Sequence, residues 1–284
     1  MSSAAESPVD SLAGKKILFL GDSITQAGEY VTFTSYYLEK LFPTKDFDIY
    51  SLGLGSETLS GLSEEGHAGG AFPRPCLFER LGRALEAVKP EVVFACYGMN
   101  DGIYQPLEEG RFAAFKGGVS KLIAQCRVAG VGKIYIVTPP IFDAAKKPGE
   151  FNYDSVLTAY AAWEMTLNEP GVQVIDLHTA MRKARDTRTE VFSKDNVHPG
   201  EEGHFLMAKT VLGGLGITIP GEPLTTIHND PIYKQVDLLR KERWTHWMQH
   251  IGYTREKKVS PQPLGNAVSE EAKLQLSIDA MRRK

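Results

Sequence analysis

Five short apolar runs, separated by amphipathic helical patterns, constrain this chain more than any other feature. They are ILFL (17–20), DIYSL (48–52), VVFACYG (92–98), IYIVTP (134–139) and VQVIDL (172–177). Most are apolar throughout rather than alternating, which is how a strand reads when helices cover both faces of its sheet. Between them, Leu77, Leu81, Leu85 and Val88 share one helical face, as do Phe112, Phe115, Val119, Leu122, Ile123 and Cys126. Repeated strand–helix units of this length predict a parallel, doubly wound sheet with right-handed crossovers, an α/β fold. Ligands of such sheets bind beyond the carboxyl ends of the strands. Ser23 follows the first strand at that end, and Gly98-Met99-Asn100-Asp101 follows the third.

Four blocks carry residue types suited to chemistry. They are Gly21-Asp22-Ser23-Ile24, SLGLGSETLSGL (51–62), YGMND (97–101) and DNVHPGEEGH (195–204). An isolated Asp-Ser after a strand reads as a turn and a helix N-cap. With the other blocks in register, Ser23 reads as a nucleophile. A serine hydroxyl needs a base to take its proton, and an imidazole does this near neutral pH. His198 fits that role. Asp195, three residues earlier, is able to hold the other ring nitrogen and fix the tautomer.

Together the blocks resemble the SGNH hydrolases, the GDSL-type branch of serine esterases, over residues 15–213. The resemblance implies a three-layer α/β/α sandwich with a five-stranded, flavodoxin-like parallel sheet. It implies a Ser23–His198–Asp195 triad acting through an acyl-enzyme, without cofactor or metal. It also implies an oxyanion hole from the backbone N–H of Ser23, a backbone N–H of the second block and the side-chain amide of Asn100. The second block departs from the family pattern Asn-x-Gly-x-x-Gly-Asp-Thr. Ser51 replaces the Asn, and Glu57-Thr58 matches the Asp-Thr. The donor glycine then falls on Ser56, with Gly55 one residue early as the alternative.

The remaining candidates have simpler readings. Asp101 reads as a loop brace. His67, His178, His204, His228, His246 and His250 read as surface or structural residues. His246 and His250 have the spacing of a zinc pair, but Trp247 stands where a metalloprotease would carry Glu. The run 53–61 mimics a phosphate loop without its spacing or a following Lys, and no Gly-x-Ser-x-Gly elbow occurs. GHAGGAFPRPCLFERL (66–81) is a long Gly/Pro-rich connection before a helix, and Arg74 within it is a candidate contact for a polar substrate.

A net charge of -3 with both signs mixed gives no reason to expect nucleic acid or an acidic membrane as partner. No apolar run approaches a membrane span, and the polar start MSSAAESPVDSLAGKK lacks a signal-peptide core. That start fits a native terminus or a trimmed precursor alike, so a soluble protein is expected with its compartment left open. Cys76, Cys96 and Cys126 are too few for a disulfide framework. The expected organisation is a flexible segment 1–14, a catalytic domain 15–224 and a helical extension 225–284 tied to the core by Trp244 and Trp247. The absence of a long apolar lid favours short acyl groups on polar alcohols, with saccharide deacetylation foremost. Lipase, arylesterase or thioesterase activity, a non-catalytic binding module and a nucleotide-binding loop are the alternatives.

Overall fold

The computed structural model describes residues 8–145 and 149–283. β1 (Lys16–Gly21), β2 (Asp48–Ser51), β3 (Val92–Cys96), β4 (Lys133–Val137) and β5 (Val172–Ile175) form one sheet in the order β2-β1-β3-β4-β5. Every pair is parallel. The connection from β1 to β2 steps one way across the sheet, and the later three step the other way. Right-handed crossovers therefore place α1 (Ser23–Ala27) and α2 (Glu29–Leu41) on one face. The same rule places α3 (Leu81–Val88), α4 (Glu109–Val128) and α5 (Asp154–Glu164) on the other. α6 (Leu177–Asp186) and α7 (Glu201–Gly214) follow β5, and α7 packs beside α2. The result is the three-layer, flavodoxin-like sandwich, with its topological switch point between β1 and β3.

The strands are apolar because both sheet faces are covered. Residues 17–20 and 92–96 are buried, and Phe19, Phe94 and Tyr135 stand in register across three strands. Their rings stack with centroids 4.6 and 4.4 Å apart. Leu81, Leu85 and Val88 of α3 are buried, as are Phe115, Val119, Leu122, Ile123 and Cys126 of α4. β5 stops at Ile175, short of the apolar run, because Asp176 accepts the Thr179 N–H at 3.0 Å and starts α6.

Of the expected flexible segment 1–14, residues 1–7 lie outside the described residues. The rest is anchored rather than free. A 3-10 turn at Pro8–Ser11 begins a stretch in which Val9 and Leu12 enter the core. Side chains three apart eclipse in a 3-10 turn, so both face the same way.

The chain continues through α8 (Leu224–Asn229), α9 (Pro231–Ile251), a small hairpin of β6 (Tyr253–Thr254) and β7 (Lys258–Val259), and α10 (Ala267–Arg282). Asp230 caps α9 through the Ile232 N–H at 2.9 Å, with Pro231 in the first turn. α9 lies along α2 and the edge strand β2. Arg243 donates to the Ile49 carbonyl at 2.7 Å and lies over the Tyr50 ring, and Trp247 meets that ring edge-on. An open edge strand invites pairing with another chain, and this arm covers it. No helix among the described residues is long and apolar enough to cross a membrane.

Candidate active site

The first block sits where β1 meets α1. Asp22 Oδ1 accepts the Ile24 N–H at 3.0 Å, so Asp22 is the N-cap and Ser23 is the first helical residue. The Ser23 hydroxyl is therefore not used for capping. It lies 2.7 Å from His198 Nε2. His198 Nδ1 lies 2.6 Å from Asp195 Oδ2, while Asp195 Oδ1 accepts the N–H groups of Val197 and His198 at 3.0 and 2.8 Å. Partial burial pushes the Asp195 carboxyl up, but the His198 ring and these two N–H groups outweigh it and hold it at about 2. Asp195 is thus an acceptor at neutral pH. The ring proton belongs on Nδ1, which leaves Nε2 to accept from the Ser23 hydroxyl.

The second block runs alongside β1 past the end of β2. The Leu52 N–H donates to the Phe19 carbonyl at 2.9 Å, and the Leu54 N–H to the Gly21 carbonyl at 3.0 Å. Gly53 packs so closely on α1 that a Cβ would collide with the backbone of Thr25 and Gln26. The two candidate backbone donors then differ. The Gly55 N–H is taken by Gln26 Oε1 at 2.7 Å. No hydrogen bond among the described residues occupies the Ser56 N–H. Ser56 has φ 66°, the left-handed conformation that favours glycine, and this is where the family pattern carries one.

Thr58 bridges to Cys76, so residues 59–75 form an excursion pinned at its base. Arg74 returns from it with a side chain only 5% exposed. Its Nε and Nη2 meet both oxygens of Glu64 at 2.6 Å, and Nη1 donates to Asn100 Oδ1 at 2.8 Å. Tyr104 lies against the guanidinium and donates to the same Oδ1 at 3.3 Å. On the other side, Asn100 Nδ2 faces the Glu57 carbonyl at 3.2 Å and Asp22 Oδ2 at 3.3 Å. A guanidinium cannot accept and a carbonyl cannot donate, so the amide has one orientation, nitrogen toward the Glu57 carbonyl and Asp22. Arg74, expected at the substrate, stands behind Asn100 instead. The Glu64 carboxylate at the start of the same excursion holds its charge inward.

Asp101 ties the second and third blocks together. It accepts the N–H groups of Leu59 and Ser60 at 2.8 and 2.7 Å and that of Gly98 at 3.1 Å. Burial pushes its carboxyl up to about 6 against these bonds. Burial also pushes Asp22 up to about 7, opposed by the Ile24 N–H and His198 and reinforced by the charges of Asp101 and Glu57. Glu57 is fully buried on Arg80, with contacts of 2.7 and 2.6 Å, and accepts from Tyr97 at 2.6 Å.

The four blocks thus converge on one strand-end crevice. The model of the GDSL-like lipase/acylhydrolase family matches residues 19–206, a span that holds all four. The chain belongs to the GDSL-like lipase/acylhydrolase family. Its family chemistry is ester hydrolysis. Similar solved structures share the fold of this GDSL-type hydrolase. A mutant of an acetyl-xylooligosaccharide esterase from Geobacillus stearothermophilus is 19% identical with a TM-score of 0.59. An acetylxylan esterase from the same organism is 20% identical with a TM-score of 0.54. An alpha/beta hydrolase from the metagenome of Lake Arreo, Spain, is 20% identical with a TM-score of 0.55. In each case the similarity covers 74% of this chain and 98% of the other. No match is found among curated protein sequences.

The other histidines have local partners in this GDSL-type hydrolase. His178 lies 2.9 Å from Thr158 Oγ1, His204 stacks on Tyr30, and His250 Nδ1 lies 2.7 Å from the Gln262 carbonyl. His246 lies near Glu242 and Glu271. Sequence reasoning missed Gln26, Glu64, Tyr104 and Arg255, and it read Trp244 as an anchor of the arm without its partner Gly53. Glu64 and Tyr104 were within reach, as an opposite charge in the Arg74 excursion and an aromatic just after YGMND. Arg255 carries no local mark.

Proposed function

We propose that this chain is a serine ester hydrolase that removes short acyl groups, acetyl foremost, from a saccharide or similar polyol. Ser23 Oγ attacks the ester carbonyl carbon as its proton passes to His198 Nε2. The carbonyl oxygen becomes an oxyanion that takes hydrogen bonds from the N–H of Ser23, the N–H of Ser56 and Nδ2 of Asn100. The acyl C–O bond then breaks, and His198 returns the proton to the leaving alcohol oxygen. Water, deprotonated by the same nitrogen, repeats the sequence on the acyl-enzyme and releases the carboxylic acid. Asp195 stabilises the imidazolium in both halves. Arg74 is assigned to Asn100, not to substrate.

The observation that carries this reading is the unbroken chain Ser23–His198–Asp195, at 2.7 and 2.6 Å. The short acyl group and polar alcohol rest on the surroundings. An open depression of about 470 Å³ beside His198 and Asp195 is rimmed by Lys194, Glu201 and Glu202 around Phe192 and Val191. Charged side chains beside the base suit a polar, hydroxyl-bearing alcohol. The acetylxylan esterases of the same fold deacetylate a saccharide, which fits that rim.

The test is a series of p-nitrophenyl esters from acetate to octanoate, followed by acetylated xylo-oligosaccharides, with Ser23→Ala as control. Highest kcat/KM on acetate, release of acetate from the oligosaccharides, and loss of turnover and fluorophosphonate labelling in Ser23→Ala are expected. A rise in kcat/KM toward octanoate would reverse the acyl assignment. Full turnover in Ser23→Ala would remove the mechanism.

A further inference from the structure

The Gly55–Ser56 peptide is held from outside the matched family region. Arg255 Nε donates to the Gly55 carbonyl at 3.1 Å across 200 residues of sequence. Arg255 lies between β6 and β7, well beyond residue 206, where the family match ends. The same arm contributes Trp244 of α9, whose indole N–H donates to the Gly53 carbonyl at 2.9 Å. The Arg255 guanidinium is itself steadied over the Phe72 ring, with its centroid 4.9 Å away, and by Glu256 at 2.8 Å.

We propose that the C-terminal arm is a working part of the active site, with Arg255 positioning the peptide that supplies the Ser56 oxyanion donor. This rests on the ester-hydrolase reading above. A trans peptide is planar, and its carbonyl and N–H point in opposite directions. Fixing the Gly55 carbonyl therefore fixes the direction of the Ser56 N–H. Gln26 holds the other side of Gly55 through its N–H at 2.7 Å, so the residue is clamped at both polar groups. The clamp is needed because Ser56 sits at φ 66°, where an L-residue tends to turn away. A guanidinium on the carbonyl also polarises the peptide and strengthens its N–H as a donor. Arg255 touches no reacting atom, so it is a positioning residue.

Its signature is a loss in kcat without a loss in substrate binding. The test uses the full chain with an acetyl ester, comparing wild type with Arg255→Met and Arg255→Lys, each alone and with Asn100→Ala. Phenylboronic acid, which mimics the tetrahedral intermediate on Ser23, reports the oxyanion hole directly. Arg255→Met is expected to lower kcat at least about tenfold, a part of the 10²–10³ lost when a whole donor is removed. KM should stay within about twofold, and boronate affinity should fall in step with kcat. Arg255→Lys, which keeps a charge and a donor, should recover part of the loss. Because Asn100 is a separate donor, the losses from Arg255→Met and Asn100→Ala should multiply. An active wild type with unchanged kcat in Arg255→Met would overturn this inference and leave the hydrolase reading intact. So would a loss shared between kcat and KM, unrecovered by Arg255→Lys and accompanied by a fall in Tm. Should Arg255→Met not fold, Arg255→Lys with native Tm decides, since it too must lower kcat and boronate affinity together. A wild type without Ser23-dependent turnover would overturn both.

Discussion

Arg74 Nη1 donates to Asn100 Oδ1 at 2.8 Å, and this contact sets which end of the amide faces the reaction centre. With the oxygen held by a cation, the nitrogen is the end turned toward Asp22 Oδ2 and the Glu57 carbonyl, and the bond to the guanidinium polarises it further. Arg74→Met should therefore lower kcat by about 10- to 100-fold, a part of the 10²–10³ that removal of a whole oxyanion donor costs. Because Arg74 acts through Asn100, the two losses should not multiply. Arg74→Met on an Asn100→Ala background should change kcat by less than about threefold. Multiplying losses in that double-mutant cycle would give Arg74 a separate role, such as the substrate contact first expected of it.

Asp195 Oδ2 lies 2.6 Å from His198 Nδ1, placed to orient the ring in the proposed mechanism, while its second oxygen is held by two backbone N–H groups. Asp195→Asn keeps the shape but lets the amide nitrogen face Nδ1, which favours the wrong tautomer. A fall in kcat of about 10³–10⁴, with Tm little changed, is expected from that change in a triad. Steady-state kinetics on an acetyl ester checks it, and a loss below about tenfold would mean that another group orients the ring.

In the proposed mechanism Ser56 offers its N–H, not its hydroxyl, from a left-handed backbone conformation with φ 66°. Ser56→Gly and Ser56→Ala both keep the N–H, so kcat should stay within about threefold. Ser56→Gly should also gain stability, on the order of 1 kcal/mol, by relieving the strain of a side chain at positive φ. Ser56→Val, β-branched and far less tolerant of that conformation, should cost at least about tenfold in kcat. Equal activity in Ser56→Val would place the donor elsewhere, and a large loss in Ser56→Ala would make the hydroxyl functional.

Asp22 gives a pH-dependent prediction. Burial raises its carboxyl from 3.8 to about 7 in the folded protein. Between these values the unfolded chain has released the proton and the folded chain has kept it. The folded state binds more protons there, so the stability that the protonated carboxyl provides is present below pH 3.8 and is lost as pH rises to 7. Asp22→Asn resembles the protonated form and retains an oxygen for the Ile24 N–H. Its Tm relative to wild type, followed by differential scanning calorimetry, should thus rise from pH 4 to about pH 7 and level off above it. A difference that stays flat across that range would mean the carboxyl ionises inside the fold at its ordinary value.

The parallel sheet was legible in the sequence because burial on both faces leaves a residue-level imprint, while its flavodoxin-like arrangement was implied by the family resemblance. Runs such as 17–20 and 92–96 have no polar alternation to place elsewhere, and parallel strands need the helical crossovers whose stripes are visible between them. The strand-end positions of Ser23 and Asn100, and the proximity of Asp195 to His198, followed from short-range spacing and topology. What surrounds them did not. Asp22 and Ser23 are both good caps, and only the seated helix decided that Asp22 takes the Ile24 N–H and leaves Ser23 to His198. Arg74 carries the same charge whether it faces solvent or Asn100, and the Glu64 contact and the Thr58–Cys76 closure turned it inward. Arg255 meets Gly55 across 200 residues, in an arm whose helical periodicity says only that it packs and not on what. Local pattern records which residues must be buried, whereas the partner of a long polar side chain depends on where distant backbone happens to end, and that is known only once the chain has folded.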